Sequence, residues 1–394
     1  MTSDLKLPAL PLGQNCFNAI RKAGMVYVDK TDLIFDLAGY PVFYLLTRPH
    51  GFGKSLMIST LEELFAHGSG AFRDLKFARK GSWPERTYPV ISLNFAALTE
   101  AGRASGADLD SVLCSVLKEK FRRAGLQVDE ALWRRTNWYI GMYASLSALE
   151  DGSLVVLVDD FDAPLACAAH LDANFKEKQK FLNSFMALLK CCAHKLWFVL
   201  ITGTCRFADL LLSPAFGILQ DISFNGDFAA LTGFTVKELE QYFAAQLEHA
   251  AAVFNERLQT KIWDKASMLE ALAEQYGGYS FSDGSEQYKV CDPFSVLCFL
   301  ANPAAGFISY RNRGAAAAAA AAADLALTEP DFAFSVPRSR LLSGRFFADL
   351  AGRVGIEAVQ LFEQGFLTIK ENKGELYRLG IPNCAIRRAF MQGT

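Results

Sequence analysis

Four short runs along the chain are apolar almost without interruption: VFYLLT (42–47), VISLNF (90–95), LVVLV (154–158) and LWFVLIT (196–202). Each has strand length and is rich in β-branched or aromatic residues. Continuous apolarity of this kind suits strands covered on both faces. Between them the period changes. In KSLMISTLEELFAH (54–67), Leu56, Leu61, Leu64 and Phe65 recur at the spacing of one helical face. Strands alternating with helices predict an α/β layer on a right-handed, mostly parallel sheet.

After LTGFT (231–235) the pattern turns helical, and VKELEQYFAAQLEHAAAVF and KASMLEALAEQY read as amphipathic helices. Gly277 and Gly278 punctuate, and DPFSVLCFL (292–300) opens another apolar helix with Pro293 in its first turn. AVQLFEQGFLTIKENKGELYRLGIP (358–382) reads as helix, strand, tight turn, strand, with Asn372 and Gly374 supplying the positive-φ positions of a hairpin. That order fits a winged-helix tail or an ordinary hairpin closing a helical unit. The expected division is a sheet layer over 1–234, a helical lid over 235–325 and a C-terminal region over 326–394. The run of nine alanines at 315–323 is either a low-complexity helix or a stretch standing in for other side chains.

Composition narrows the function classes. With 394 residues, of which 51% are hydrophobic, the chain can bury the cores of two or three packed units. A formal net charge of −2 gives no global field toward nucleic acid or anionic membrane. Nine cysteines, with no C-x-x-C pair, argue against zinc and against a disulfide framework. Free thiols, the absence of a leader-like start and the shortness of every apolar run predict a cytoplasmic protein that does not span a membrane.

The candidate chemistry begins at TRPHGFGKS (47–55). Gly53, Lys54 and Ser55 fill the last three positions of the phosphate-loop pattern G-x-x-x-x-G-K-[ST], while Arg48 stands where the first glycine belongs. A strand running into a tight loop and then a helix aims backbone N–H groups and the helix dipole at an anion. Gly51 and Gly53 permit close backbone approach, Lys54 can reach β- and γ-phosphates, and Ser55 can ligate Mg2+. Arg48, Gly51, Phe52, Gly53, Lys54, Ser55 and Leu56 are therefore the expected nucleotide-contacting loop. A GKS tripeptide alone also arises by chance, so a second signal matters. LVVLVDDFDAPL supplies it: an apolar strand ending in Asp159, suited to hold Mg2+, and Asp160, suited to orient the attacking water. Thr202, at the tip of the next strand, can hydrogen-bond the same water. Arg206, just beyond, reads as a phosphate contact or a solvated side chain.

With these residues assembled, the chain resembles the AAA-ATPase-like family whose loop reads RPRRFGKS. The likeness runs from LPLGQNCFNAIRKAGMVYVDKTDLI through LTRPHGFGKSL, VVLVDDFDAPL, ITGTCRF, YGGYSF and DPFSVL to LGIPNCAIRRAF. It implies a P-loop NTPase of the additional-strand AAA type, binding ATP and Mg2+. It also accounts for Arg48, which the family's loop carries. Asp29 and Lys30 of YVDKT lie where related ATPases wrap an N-terminal segment over the base; they would touch base or ribose, or pin that segment as an ion pair.

Two departures bear on activity. His50 and Gly51 replace two arginines, and Asp160 replaces the usual Glu, which puts hydrolysis in doubt more than binding. The resemblance thus implies a slow ATPase acting as a nucleotide-dependent switch on a protein partner or on itself. A degenerate interaction module that keeps only the fold is the competing reading. A third, nucleic-acid binding, rests on RNR (311–313), Arg387 and Arg388. Family members usually continue into a PD-(D/E)XK nuclease domain, and no nuclease activity is expected of these 394 residues.

Overall fold

The structure, a computed structural model, describes residues 7–166, 175–206, 213–282, 284, 289–311, 333–343 and 358–392. The alanine run, Asn312 and Arg313 lie outside them. Five strands, β1 (Phe43–Thr47), β2 (Val90–Asn94), β3 (Leu154–Asp159), β4 (Leu196–Gly203) and β5 (Gln220–Asp221), form one sheet in the order β2-β3-β4-β1-β5. Every pairing in it is parallel. The first four are the apolar runs of the sequence. β5 has two residues, both exposed, and carries no hydrophobic signature.

All six residues of β3 are buried, because the sheet is covered on both sides. Leu154, Val156 and Val158 pack into one core with Leu45, Leu113, Met142 and Phe185. Val155 and Leu157 face the opposite core with Tyr44, Ile20, Leu61 and Phe65. Each such apolar side chain contributes roughly 1.5–3 kcal/mol by burial, so the centre of the sheet carries much of the stabilising burial. Its registers also matter for function. Asn94 pairs with Asp159, and Thr47 with Gly203, so the carboxyl ends of the four long strands finish level at one edge. Ligands of open parallel sheets bind at that edge.

The helix after β1 spans Lys54–His67, bracketed by Gly53 and Gly68, both with positive φ. Leu61, Leu64 and Phe65 face the core as the pattern predicts, whereas Leu56 is only half-buried.

From Val236 the chain is mainly helical, through Val236–Tyr242, Ala244–Leu258, Lys265–Tyr276 and Pro293–Ala301. The continuous amphipathic stretch predicted from 236 breaks at Phe243, whose fully buried ring packs among these helices. Thr235 and Glu238 form a capping box, and Asp292 caps the last helix with Pro293 in its first turn. Val26 and Val28, from the N-terminal segment, share this helical core.

The C-terminal region carries an antiparallel sheet in the order β8-β10-β9, made of β8 (Ala333–Pro337), β9 (Thr368–Lys373) and β10 (Leu376–Gly380). The remaining strands, β6 (Tyr279–Ser280) and β7 (Lys289–Val290), pair as a short ribbon. The predicted hairpin is β9–β10, with one correction: only Gly374 has positive φ, at 72°. Asn372 works through its side chain instead, whose oxygen accepts the Gly374 N–H at 3.1 Å. Tail residues Val359, Phe362, Ile369 and Leu379 share a core with Tyr279, Phe281 and, from the loop after β1, Phe52.

Among the described residues, eight cysteines are free thiols and no helix is long and apolar enough to cross a membrane.

Candidate functional site

At the carboxyl edge of the sheet, β1 ends and the chain turns through Gly51 (φ 83°) and Gly53 (φ 92°) into the helix Lys54–His67. Both conformations are open to glycine at little cost. The buried Lys54 ammonium is folded back over this loop. It donates to the carbonyls of Arg48 at 2.9 Å and Pro49 at 3.3 Å and to the Thr204 hydroxyl at 3.3 Å. Burial pulls its pKa below the ordinary lysine value, against the pull of Asp160, Asp162 and Asp159.

The neighbouring Ser55 hydroxyl donates to Asp159 Oδ2 at 2.6 Å, and Thr202 donates to Asp159 Oδ1 at 2.6 Å. Ser55 and Asp159, which the sequence placed at a metal, are thus brought together from the helix after β1 and the end of β3, and Thr202, expected to bond the attacking water, bonds Asp159 from β4. Their donor set, a hydroxyl beside a carboxylate, is the hard-oxygen kind that Mg2+ takes. Among the described residues no group of three or more His, Cys, Asp or Glu side chains could hold a metal by itself. Phosphate and water oxygens would have to complete the shell.

Asp160 follows in the left-handed region at φ 51°, one of two described non-glycine residues with positive φ. Asp tolerates that conformation better than most side chains because its short carboxylate can bond locally. This gives a backbone reason for Asp where Glu would be expected. Asp160 lines the cleft, and burial pushes its pKa up to about 6, with Asp159 adding to the rise and Lys54 opposing it. Because the folded state holds this proton more tightly than the unfolded chain, Asp160 subtracts stability as pH rises from about 4 through about 6. In nucleotide-free, metal-free protein, Asp160→Asn should therefore melt higher than wild type at pH 7, the gap closing near pH 4. Thermal melts at the two pH values read this directly.

Asn94, which belongs to none of the motifs, links the acidic pair. Its amide donates to Asp159 at 3.2 Å and to Asp160 at 3.5 Å, while its oxygen caps the helix Phe95–Ser105. The cap is legible as Asn before a helix; the reach to Asp159 depends on the β2–β3 register. Asp162 fixes the segment after β4. Its carboxylate accepts the N–H groups of Thr204 at 3.0 Å and Cys205 at 2.7 Å, holding the loop whose Thr204 hydroxyl meets Lys54.

The cleft above these groups has a volume of about 340 Å3. Gly51, Phe52, Gly53, Lys54, Ser55, Leu56 and His50 form its floor, while Pro11–Asn15 and Val26–Val28 form one wall. Leu231–Phe234, Phe243, Pro293, Phe294 and Leu297 form the other. Lys30 reaches this cleft but is engaged with Glu238 at 2.6 Å, joining the N-terminal segment to the helix Val236–Tyr242.

Asp29 is placed elsewhere. Its carboxylate accepts the N–H groups of Thr31 at 2.9 Å and Lys76 at 2.7 Å, beneath the segment. Asp29→Ala would strand buried donors and should lower stability by about 2–3 kcal/mol in a denaturant titration.

Arg48 does not line the cleft either. It is 1% exposed, donates to the carbonyls of Thr47 at 2.8 Å and Ser223 at 2.7 Å, and lies 4.3 Å from the Phe281 ring centroid. Burial pulls its pKa down to about 9. Phe52 likewise points largely into the tail core, edge-on to Tyr279 and Phe281. Arg206 is neither solvated nor at the loop mouth: it is buried, paired with Asp221, and donates to the Leu342 carbonyl of the tail.

A parallel sheet of this order, with a glycine-bounded loop and an acidic pair at its carboxyl edge, is typical of P-loop NTPases. Residues 11–212 match the family described as Predicted AAA-ATPase (AAA-ATPase-like), more than half of the chain, and the protein belongs to that family. Membership points to nucleotide binding. The chain is also similar to an uncharacterized protein in the vnfD 5′ region of Azotobacter chroococcum mcd 1. The two are 25% identical over 387 residues, covering 97% of this chain and 69% of that protein.

Proposed function

We propose that the protein binds ATP with Mg2+ in this cleft and acts as a nucleotide-dependent switch whose hydrolysis is slow. The observation that carries the reading is the Ser55–Asp159 hydrogen bond of 2.6 Å beside the buried Lys54 ammonium. Lys54 and the amides after Gly51 would grip the phosphates, and the apolar walls would enclose base and ribose. Ser55 and Asp159 would hold Mg2+, which when bound would neutralise charge on the β- and γ-phosphate oxygens. Asp160 would accept a proton from the attacking water, held in place by Asn94. Thr202, committed to Asp159, would act by orienting that carboxylate.

The position of β4 between β1 and β3 supports the additional-strand AAA reading. A division into 1–234, 235–325 and 326–394 follows the change to helices at Val236 and the antiparallel sheet of the tail. That sheet, with β8 preceding, among the described residues, the helices Arg338–Ser343 and Ala358–Glu363 and the β9–β10 hairpin, supports a winged-helix-like tail. The tail is the part suited to meet a protein partner or a second copy. Nucleic-acid binding has less behind it, since Arg388 is engaged with Gln275 and Arg311 with Asp292 in an ion pair.

The degenerate-module reading is favoured by one observation, the shorter Asp160 in place of Glu. Phosphate release, measured on a preparation whose ATP and ADP affinities are known, separates the readings. Binding with slow release supports the proposal. Binding without release leaves a switch that does not turn over, and absence of binding leaves the module.

A further inference from the structure

Arg311 belongs to a motif that the nucleotide site does not absorb, and its side chain does not line the cleft. It is nevertheless largely enclosed, with its side chain 11% exposed, at the point where three parts of the chain meet. Nη2 donates to the His50 carbonyl in the phosphate loop at 2.7 Å, Nε to Asp292 at 2.8 Å, and Nη1 to the Gln364 carbonyl of the tail at 3.3 Å. The guanidinium also lies 5.1 Å from the Phe52 ring centroid. Burial disfavours its charge, but Asp292 and Tyr279 together outweigh that and raise the pKa above the usual arginine value.

The surroundings leave little slack. A Cβ on Gly51 would sit 3.0 Å from the Phe294 Cβ, and one on Gly365 would sit 3.1 Å from the Pro49 Cβ and 3.2 Å from Arg311 Nη1. Only a planar fork can serve loop, lid and tail at once; a lysine offers one point charge.

We infer that Arg311 is a positioning residue that makes the phosphate loop and the tail one mechanical unit, so that phosphate occupancy is transmitted to the turn at Gln364–Leu367. Asp292 is the second half of the device. It holds Arg311 and, by accepting the Phe294 N–H at 3.1 Å, caps the lid helix that packs on Gly51. The transmission of occupancy rests on the nucleotide reading above; the mechanical link does not.

Hydrogen–deuterium exchange on the full chain tests both. Arg311→Gln alone leaves Asp292 buried without its partner and can unfold the protein. The double variant Arg311→Gln with Asp292→Asn removes both charges and keeps a capping side chain. In free protein it should speed exchange roughly tenfold both in the loop after Arg48 and at Gly365, Phe366 and Leu367. Faster exchange in only one of the two segments, or in neither, overturns the link. With MgATP, wild type should gain protection in both segments, and the double variant should bind but lose the response of the tail. A tail response that survives in the nucleotide-bound double variant overturns the inference. Wild type that binds no ATP refutes the nucleotide reading alone, and the free-protein comparison still decides the link.

Discussion

Replacing Lys54 with alanine should weaken MgATP binding on the order of 10- to 100-fold. The ammonium is buried against the loop and donates to two loop carbonyls and Thr204. Phosphate oxygens would take over acceptor positions that these groups fill in the free protein. A hydrogen bond from a charged donor contributes about 1.5–3 kcal/mol, which sets the expected range. The helix should survive the change, because Lys54 is its first residue and alanine has the highest helix propensity. Calorimetric titration beside a thermal melt checks both points. A folded variant with wild-type affinity would remove the ATPase and switch readings together.

Asp160→Asn should reduce phosphate release by about 10²–10⁴-fold while changing ATP affinity only a few-fold. The grounds are geometric first. Asp160 lines the cleft next to the Ser55–Asp159 pair, and Asn94 donates to it at 3.5 Å. Asparagine is nearly isosteric and tolerates the left-handed backbone at φ 51°, so the loop should keep its shape. What is lost is a proton acceptor. Single-turnover release of labelled phosphate, measured beside binding, isolates the effect. Unchanged turnover would assign the base to another group and leave Asp160 as a turn residue.

Much of this site is legible in the amino-acid sequence. The helix Lys54–His67 can be placed to the residue because its apolar spacing is bounded by Gly53 and Gly68. The strands β1, β3 and β4 can be read because a doubly covered strand must be apolar throughout. The meeting of Ser55 with Asp159, 104 residues apart, follows from strand ends and motif order.

The arginines are not legible. Arg48 bonds a carbonyl 175 residues away and Arg311 one 261 residues away, and no local pattern marks a carbonyl as an acceptor. The buried Arg206 and the half-buried Arg311 also contradict the usual expectation for a charged side chain, which would hold both at the surface. Asp29 is hidden for a related reason: beside the Thr31 hydroxyl, its partners are the backbone N–H groups of Thr31 and Lys76, which every residue but proline carries. β5 leaves no trace because two exposed residues carry no periodicity.

Equilibrium titration of the wild-type chain with ATP, with and without Mg2+, tests the central claim most directly. Saturable binding at one site per chain, tightened by Mg2+ through Ser55 and Asp159, is the expected result. Heat-free, signal-free titrations of folded protein under both conditions would contradict it, and would leave the loop after β1 as a scaffold for the tail.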